Sequence, residues 1–370
     1  MTARRLLPRL ARARALLEEE GLAALVSFGA ADCRYLTGFT GEAIAVVLTG
    51  SESILLTDSR FTTQAAHEAP GTKLVICGTG RDDQIPEILS ERLREEGDDV
   101  SLAGFDFDYL TVKRWEHLRE LLDAAGGLKW KLVDGLVQRC RLLKFPDELE
   151  ALRLAGLMAT RAFAYLETIP VVGRSERDVA LDLEVFLRRQ GSEGVAFPFI
   201  VAAGPRGAMP HGAPSTAVIE PEALLVVDVG AVVDGYASDI TRTYATGSVG
   251  PDLTRAYELV REAQARAVAA LRPGVSGREV DGVARSHLEA GGMSDLFVHS
   301  LGHGVGLDVH EGPNLSARSD DVLEAGMVVT VEPGVYLPGR AGIRIEDTVV
   351  ITPGGAEILT EWPRDLRTLS

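Results

Sequence analysis

Only three cysteines occur in 370 residues. Cys33, Cys77 and Cys140 are scattered and odd in number, which fits a reducing compartment better than a disulfide framework. None has zinc-ligand spacing. No apolar run approaches the ~20 residues of a membrane span, so no membrane partner is expected. Positive charge is scarce: 38 Lys and Arg face 54 Asp and Glu, a net charge of -16. That balance argues against nucleic acid, which would favour a basic surface. Arg4 and Arg5 precede no uninterrupted apolar core. An amphipathic surface helix to about Gly21 is expected instead of a targeting peptide, in a cytoplasmic protein. There is no low-complexity segment. Gly302, Gly304 and Gly306 have the wrong spacing for a dinucleotide fingerprint.

What is present is an ordinary globular composition, 46% hydrophobic and 25% charged. The length suggests two domains. Residues 1–133 read as a small α/β domain. Strand patterns begin at Leu22, Ala43, Ser53, Lys73 and Ser101, with helical stretches near 60–68, 84–96 and 111–124. Tyr35-Leu-Thr-Gly-Phe-Thr-Gly41 reads as a glycine-punctuated loop. Asp58, Arg60, Asp106 and Asp108 read as structural salt bridges. Residues 134–147 read as a linker, and 148–370 as an α+β domain with a curved antiparallel sheet. Long helices are expected from Pro146 to about Thr168 and at 175–190, the second capped by Ser175. Two more are expected at 253–271 and 276–291. Sections 148–246 and 253–350 are alike in outline, which allows an internal pseudo-repeat.

The informative stretch is 224–350. Asp228 and Asp239 lie in Leu225-Val-Val-Asp-Val-Gly230 and Ala237-Ser-Asp-Ile-Thr-Arg-Thr243. His299, His303 and His310 lie in His299-Ser-Leu-Gly-His-Gly-Val-Gly-Leu-Asp-Val-His-Glu-Gly-Pro313. Glu332 lies in Val328-Val-Thr-Val-Glu-Pro-Gly334, and Glu346 in Ile343-Arg-Ile-Glu-Asp-Thr348. Carboxylates are seldom buried in strands unless paired or bound to a cation. Several converging ones suggest a site for hard or borderline divalent ions. A two-residue turn at Asp234-Gly235 puts Asp228 opposite Thr241; a turn at Val233-Asp234 puts it opposite Asp239. Both keep the two carboxylates on one face. A three-residue loop at 338–340 sets Glu332 opposite Glu346, whereas a two-residue turn there does not. Arg344 shares the face of Glu346. His211 sits in a Gly/Pro loop shortly before the Asp228 strand. Four carboxylates and one imidazole can hold two divalent ions about 3.5–4 Å apart, the arrangement of two-metal hydrolases. The small neighbours of His303 would permit close approach to a metal.

This set, with Gly-His-Gly-Val-Gly, Val-His-Glu-Gly-Pro, Val-Glu-Pro-Gly and Arg-Ile-Glu-Asp around it, resembles the metal site of the pita-bread metallopeptidases. That family includes methionine aminopeptidase, aminopeptidase P and prolidase. Tyr35-Leu-Thr-Gly-Phe-Thr-Gly and Leu56-Thr-Asp-Ser-Arg-Phe resemble the creatinase/prolidase-type N-domain, which points to the proline-specific branch. The resemblance implies metal ligands Asp228, Asp239, His303, Glu332 and Glu346, with Asp239 and Glu346 bridging. It implies that Glu332 also handles a proton, that His310 meets the scissile carbonyl, that His211 and His299 line the substrate pocket, and that Arg344 orients the substrate or supports the site. It implies two divalent ions, manganese first, with cobalt or zinc as alternatives. It further implies short peptide substrates with proline second, an Xaa-Pro dipeptidase with aminopeptidase P as the alternative, and a homodimer. A non-catalytic binding protein of the same fold is the remote alternative, opposed by the complete ligand set.

Overall fold

A computed structural model describes residues 3–78, 82–95 and 102–370. The chain divides into two compact units, Met1–Arg141 and Leu142–Ser370. The first is α/β. Its six-stranded sheet runs in the order Lys73–Cys77, Ser53–Asp58, Ala45–Thr49, Ala24–Ser27, Leu102–Asp106, Lys129–Val133. The central strands read as continuous apolar runs because both faces are covered, and Ala24–Ser27 is buried throughout. Residue 96, in one expected helix, and Ser101, in one expected strand, lie outside the described residues.

Two elements of this unit differ from the sequence reading. The expected loop at Tyr35–Gly41 begins inside a helix, Ala30–Thr37. Gly38, at φ 80°, ends it and donates its N–H to the Arg34 carbonyl. The glycine is therefore a helix stop rather than loop punctuation. The stretch read as a linker contains the helix Leu136–Arg141.

The acidic and basic residues read as salt bridges also divide. Arg60 pairs with Asp58 at 2.6 Å. Asp106 is fully buried and its Oδ2 has no hydrogen-bond partner among the described residues. Burial, reinforced by Asp32, Asp108 and Asp134 against one hydrogen bond from the Asp108 N–H, raises its carboxyl from 3.8 to about 7. A raised carboxyl contributes stability that is complete below its unfolded value and lost as pH climbs through its folded one. Asp106→Asn should therefore raise the melting temperature at pH 8 and leave it nearly unchanged at pH 4. Calorimetry at the two pH values checks this.

The second unit is built from two helix pairs and antiparallel strands. Pro146–Leu166 and Glu176–Arg189 form the first pair, and Pro251–Ala270 and Gly277–Ala290 the second. Their starts are set locally. The Ser175 hydroxyl accepts from the Asp178 N–H, and Ser276 with Glu279 forms a reciprocal cap. The first pair packs on the three-stranded sheet Ile240–Ala245, Leu224–Val229, Ile200–Ala203. The second packs on the five-stranded sheet Glu311–Leu315, Gly302–Gly304, Val328–Val331, Asp347–Thr352, Gly355–Ile358. Helix pair followed by strands thus occurs twice, as the outline of the sequence allows.

Two turns set the registers that matter. Asp234 and Gly235 have φ of 48° and 76°, the signature of a two-residue hairpin turn that matches strand twist. The pairs Val233↔Tyr236 and Asp228↔Thr241 follow, which selects the first of the two registers. Residues 338–340 form the three-residue loop, with Leu337↔Ala341 and Gly334↔Arg344 paired. Val331↔Asp347 continues the same register beyond a break, so Glu332 and Glu346 stand opposite each other at that break. Asp239 occupies an equivalent break between Ala237 and Ile240. Three of the four carboxylates therefore sit where the ladder opens.

Candidate metal centre

The nine residues singled out from sequence all line one cavity of about 600 Å³: Asp228, Asp239, His303, Glu332, Glu346, His211, His299, His310 and Arg344. Phe197, Pro198, Ile200 and Pro210 give it an apolar wall. One ligand atom each from Asp239, His303 and Glu346 lie within 4.8 Å of one another. His303 Nε2 is 3.3 Å from Glu332 Oε1 and 3.8 Å from Asp239 Oδ2. Its Nδ1 lies 3.1 Å from the Gly304 carbonyl. With Nδ1 donating to that carbonyl, Nε2 faces the carboxylates, to which it donates when the ring is protonated and beside which it would offer its lone pair to a cation.

The glycines beside His303 also have a packing task. A Cβ on Gly302 would collide with the Thr330 carbonyl, and one on Gly304 with the Gly312 carbonyl. They let neighbouring backbones press against the His303 strand on both sides. That packing places the imidazole.

A polar chain links the opposite wall. Arg344 Nη2 donates to Asp228 Oδ2 at 2.7 Å, and its Nε donates to Thr241 Oγ1 at 3.1 Å. Thr241 in turn donates to Glu346 Oε2 at 2.6 Å. Arg344 Nη1 donates to the Tyr336 hydroxyl, which lies 2.9 Å from His299 Nε2; His299 Nδ1 is 2.8 Å from the Ser300 carbonyl. The consistent assignment has Tyr336 donating to Nε2 and His299 Nδ1–H donating to Ser300, which makes His299 neutral. Burial, which lowers the His299 imidazole value, acts in the same direction. Tyr336 escaped the sequence reading, and Thr241 entered it only as a possible partner of Asp228 with no role in the site. The usable signal was register: Thr241 faces Asp228, and Tyr336 has the strand parity of Glu332 on the same hairpin arm.

The charges are severe. Burial raises the carboxyls of Asp239 and Glu346 well above the usual range. Neighbouring acids add to that: Glu346 and Asp228 for Asp239, Glu332 and Asp228 for Glu346. Burial also raises Asp228, opposed by Arg344. Glu332 differs. Burial pushes it up, but the hydrogen bond and charge of His303 outweigh that and leave it lowered. His303 is raised, Glu332 overcoming the effect of burial. Asp228 Oδ1 and Asp239 Oδ1 are buried with no hydrogen-bond partner among the described residues. Buried unpartnered carboxylate oxygens beside further carboxylates and an imidazole form the donor set of a divalent-cation site, and the residues present fit one.

Fold and site together define a metal-dependent hydrolase with a separate α/β N-terminal unit. Residues 150–353 match metallopeptidase family M24, and residues 9–143 match the creatinase/prolidase N-terminal domain. The chain belongs to metallopeptidase family M24. It is 38% identical over 310 residues to the Xaa-Pro dipeptidase of Pyrococcus furiosus, covering 80% of this chain and 89% of that one. Among solved structures it superposes on an Xaa-Pro dipeptidase from Bacillus anthracis with TM-score 0.91 and 37% identity, over 98% of this chain and 100% of the other. An X-Pro aminopeptidase from Thermotoga maritima gives TM-score 0.87 and 34% identity, over 97% and 99%.

Proposed function

We propose that this protein hydrolyses the Xaa-Pro bond of dipeptides as a dinuclear-metal enzyme. The observation that carries the reading is the convergence of four carboxylates and His303 on one cavity, two of the carboxylate oxygens being buried and unpartnered. The dipeptidases among its relatives support the substrate class. In this reading Asp228, Asp239, His303, Glu332 and Glu346 would hold the ions. When bound, the two ions supply an activated water and polarise the scissile carbonyl. Manganese is the proposed ion, with cobalt and zinc as alternatives of the same ligand preference.

The protein's own groups do the rest. Glu332 lies 3.3 Å from His303 Nε2 on the cavity wall, where its carboxylate can accept the proton of the attacking water and pass it to the leaving amine. His310 stands at the cavity rim, its ring centroid 4.3 Å from that of His303, where it can donate to the carbonyl oxygen as charge develops. His299, held neutral by Tyr336, and His211 line the substrate space. Arg344 is committed to Asp228, Thr241 and Tyr336, so it supports the site by fixing Asp228 and Glu346. The apolar wall of Phe197, Pro198 and Ile200 is suited to a pyrrolidine ring. A homodimer in the cytoplasm is part of the proposal.

The second reading, an aminopeptidase that removes the residue before proline from longer peptides, is favoured by the similarity to the Thermotoga enzyme. Chelator-stripped protein assayed on Ala-Pro and Ala-Pro-Ala, before and after Mn²⁺, separates the two. Metal-dependent cleavage of Ala-Pro alone is the expected result. Release of alanine from the tripeptide selects the second reading. Cleavage of neither substrate by metal-loaded protein overturns the proline assignment.

A further inference from the structure

His310 and Glu311 are adjacent in sequence, His310 closing a run of bends and Glu311 opening the strand Glu311–Leu315. His310 faces the cavity. Glu311 turns the other way, into the protein, where its Oε1 meets Lys144 Nζ at 2.8 Å. The two side chains are 6% and 1% exposed. This pair is of a different kind from the ion pairs on the surface. Two charges taken out of water are no better for stability than apolar residues of equal volume. Their retention here asks for another reason.

The surroundings supply it. The Glu311 carboxylate fills the inside of the loop between His303 and His310. It occupies the space where a Gly306 side chain would begin, and its Oε2 accepts from the Asp308 N–H at 3.4 Å. The loop closes around it, with Gly306 N–H donating to the Asp308 carbonyl at 3.0 Å. Lys144 is itself anchored: its backbone N–H donates to the Gly326 carbonyl at 3.0 Å, and Nζ also reaches the Leu142 carbonyl at 3.4 Å. The segment ending in Gly326 leads directly into the Val328–Val331 strand that precedes Glu332. The lysine thus connects the backbone frame behind Glu332 to the loop that presents His310.

We propose that Lys144 is a positioning residue of the reaction, acting through Glu311 to set where the His310 ring stands beside His303. The inference rests on the reading that His310 meets the substrate. It assigns no ion contact to Lys144 or Glu311.

A double-mutant cycle tests it, with Lys144→Met, His310→Ala and the pair, in full-length protein assayed on Ala-Pro with saturating Mn²⁺. Displacement of a working group by an ångström or less costs up to about 10²-fold. Lys144→Met should therefore lower kcat by roughly 10- to 100-fold with bound metal unchanged. In the His310→Ala background the same substitution should cost less than about twofold further, because the group it positions is gone. In metal-free protein labelled at histidine, the His310 ring resonance, identified by its loss in His310→Ala, should move in Lys144→Met. Equal losses in both backgrounds, no loss in either, or loss of bound metal in Lys144→Met would each overturn the proposal. If Lys144→Met does not fold, Lys144→Met with Glu311→Gln takes its place in the cycle under the same criteria, since it leaves no uncompensated buried charge. A His310→Ala protein as active as the parent removes His310 from the reaction, a failure of the functional reading that the cycle separates from a failure of Lys144.

Discussion

Asp239→Asn is expected to do two opposite things. Bound divalent metal should fall below two ions per chain, and turnover should fall by roughly 10³-fold, equivalent to the several kcal/mol that metal ions contribute to such transition states. The metal-free protein should become more stable. Asp239 lies at a break in the strand ladder, 5% exposed, with Oδ1 unpartnered. Burial, then Glu346, Asp228 and Glu332, hold its carboxyl well above the usual range. Such a group contributes its full stability below its unfolded value and loses it as pH rises through the raised folded one. At neutral and higher pH the isosteric amide removes a like charge without leaving a cavity. The melting temperature of chelator-treated Asp239→Asn should therefore exceed that of chelator-treated parent at pH 8, and the difference should shrink toward pH 4. Adding Mn²⁺ should reverse the order, because only the parent gains the full binding energy of two ions. A variant that melts lower than the parent without metal would mean that Asp239 is held by protein contacts and not kept for an ion.

The same local logic explains how far the sequence could be read. Carboxylates inside apolar β-prone runs are conspicuous, because alternation leaves them no solvent face; Asp228, Asp239, Glu332 and Glu346 were legible for that reason. Asp234-Gly235 marked the hairpin but left two registers open, and only the positive φ values and the pairing set Asp228 against Thr241. Pro338-Gly339-Arg340 is alike, since two- and three-residue turns share those residue types, and only the φ of 71° at Gly339 and the pairing decide it. The helix Ala30–Thr37 was lost because β-prone residues such as Tyr35 and Thr37 are helical there under tertiary burial. Contacts between residues far apart in sequence were the hardest to see. Tyr336 with His299, and Lys144 with Glu311 across 167 positions, leave no local pattern.

Arg242 is the extreme case of that invisibility, and its loss should be the most damaging single change to stability. It is 2% exposed, and every guanidinium nitrogen is used. Nη1 donates to the carbonyls of Thr241 and Glu346, at 2.9 and 2.5 Å. Nη2 donates to Asp347 Oδ1 at 2.8 Å and to the Trp362 carbonyl at 2.7 Å, and Nε donates to the Pro363 carbonyl at 2.9 Å. Asp347 is buried too, and also accepts from Gln264 and Arg364. Removing Arg242 takes one of two guanidinium partners from Asp347 and leaves the buried carbonyls of Thr241, Glu346, Trp362 and Pro363 short of a donor, a combined cost of about 3–5 kcal/mol. Arg242→Met should destabilise the Leu142–Ser370 unit by that order, seen as a lower denaturant midpoint. Arg242→Lys should rescue little, because an ammonium cannot reproduce the planar fork. The damage should reach the metal centre, since Arg242 pins the backbone carbonyl of Glu346 and the residue that follows it. Metal affinity of whatever Arg242→Lys protein folds should therefore fall, while Arg153→Lys, which alters an exposed pair with Glu357, should change neither midpoint nor affinity. Unchanged metal affinity in folded Arg242→Lys would confine Arg242 to the core and leave Glu346 to be placed by Thr241 alone.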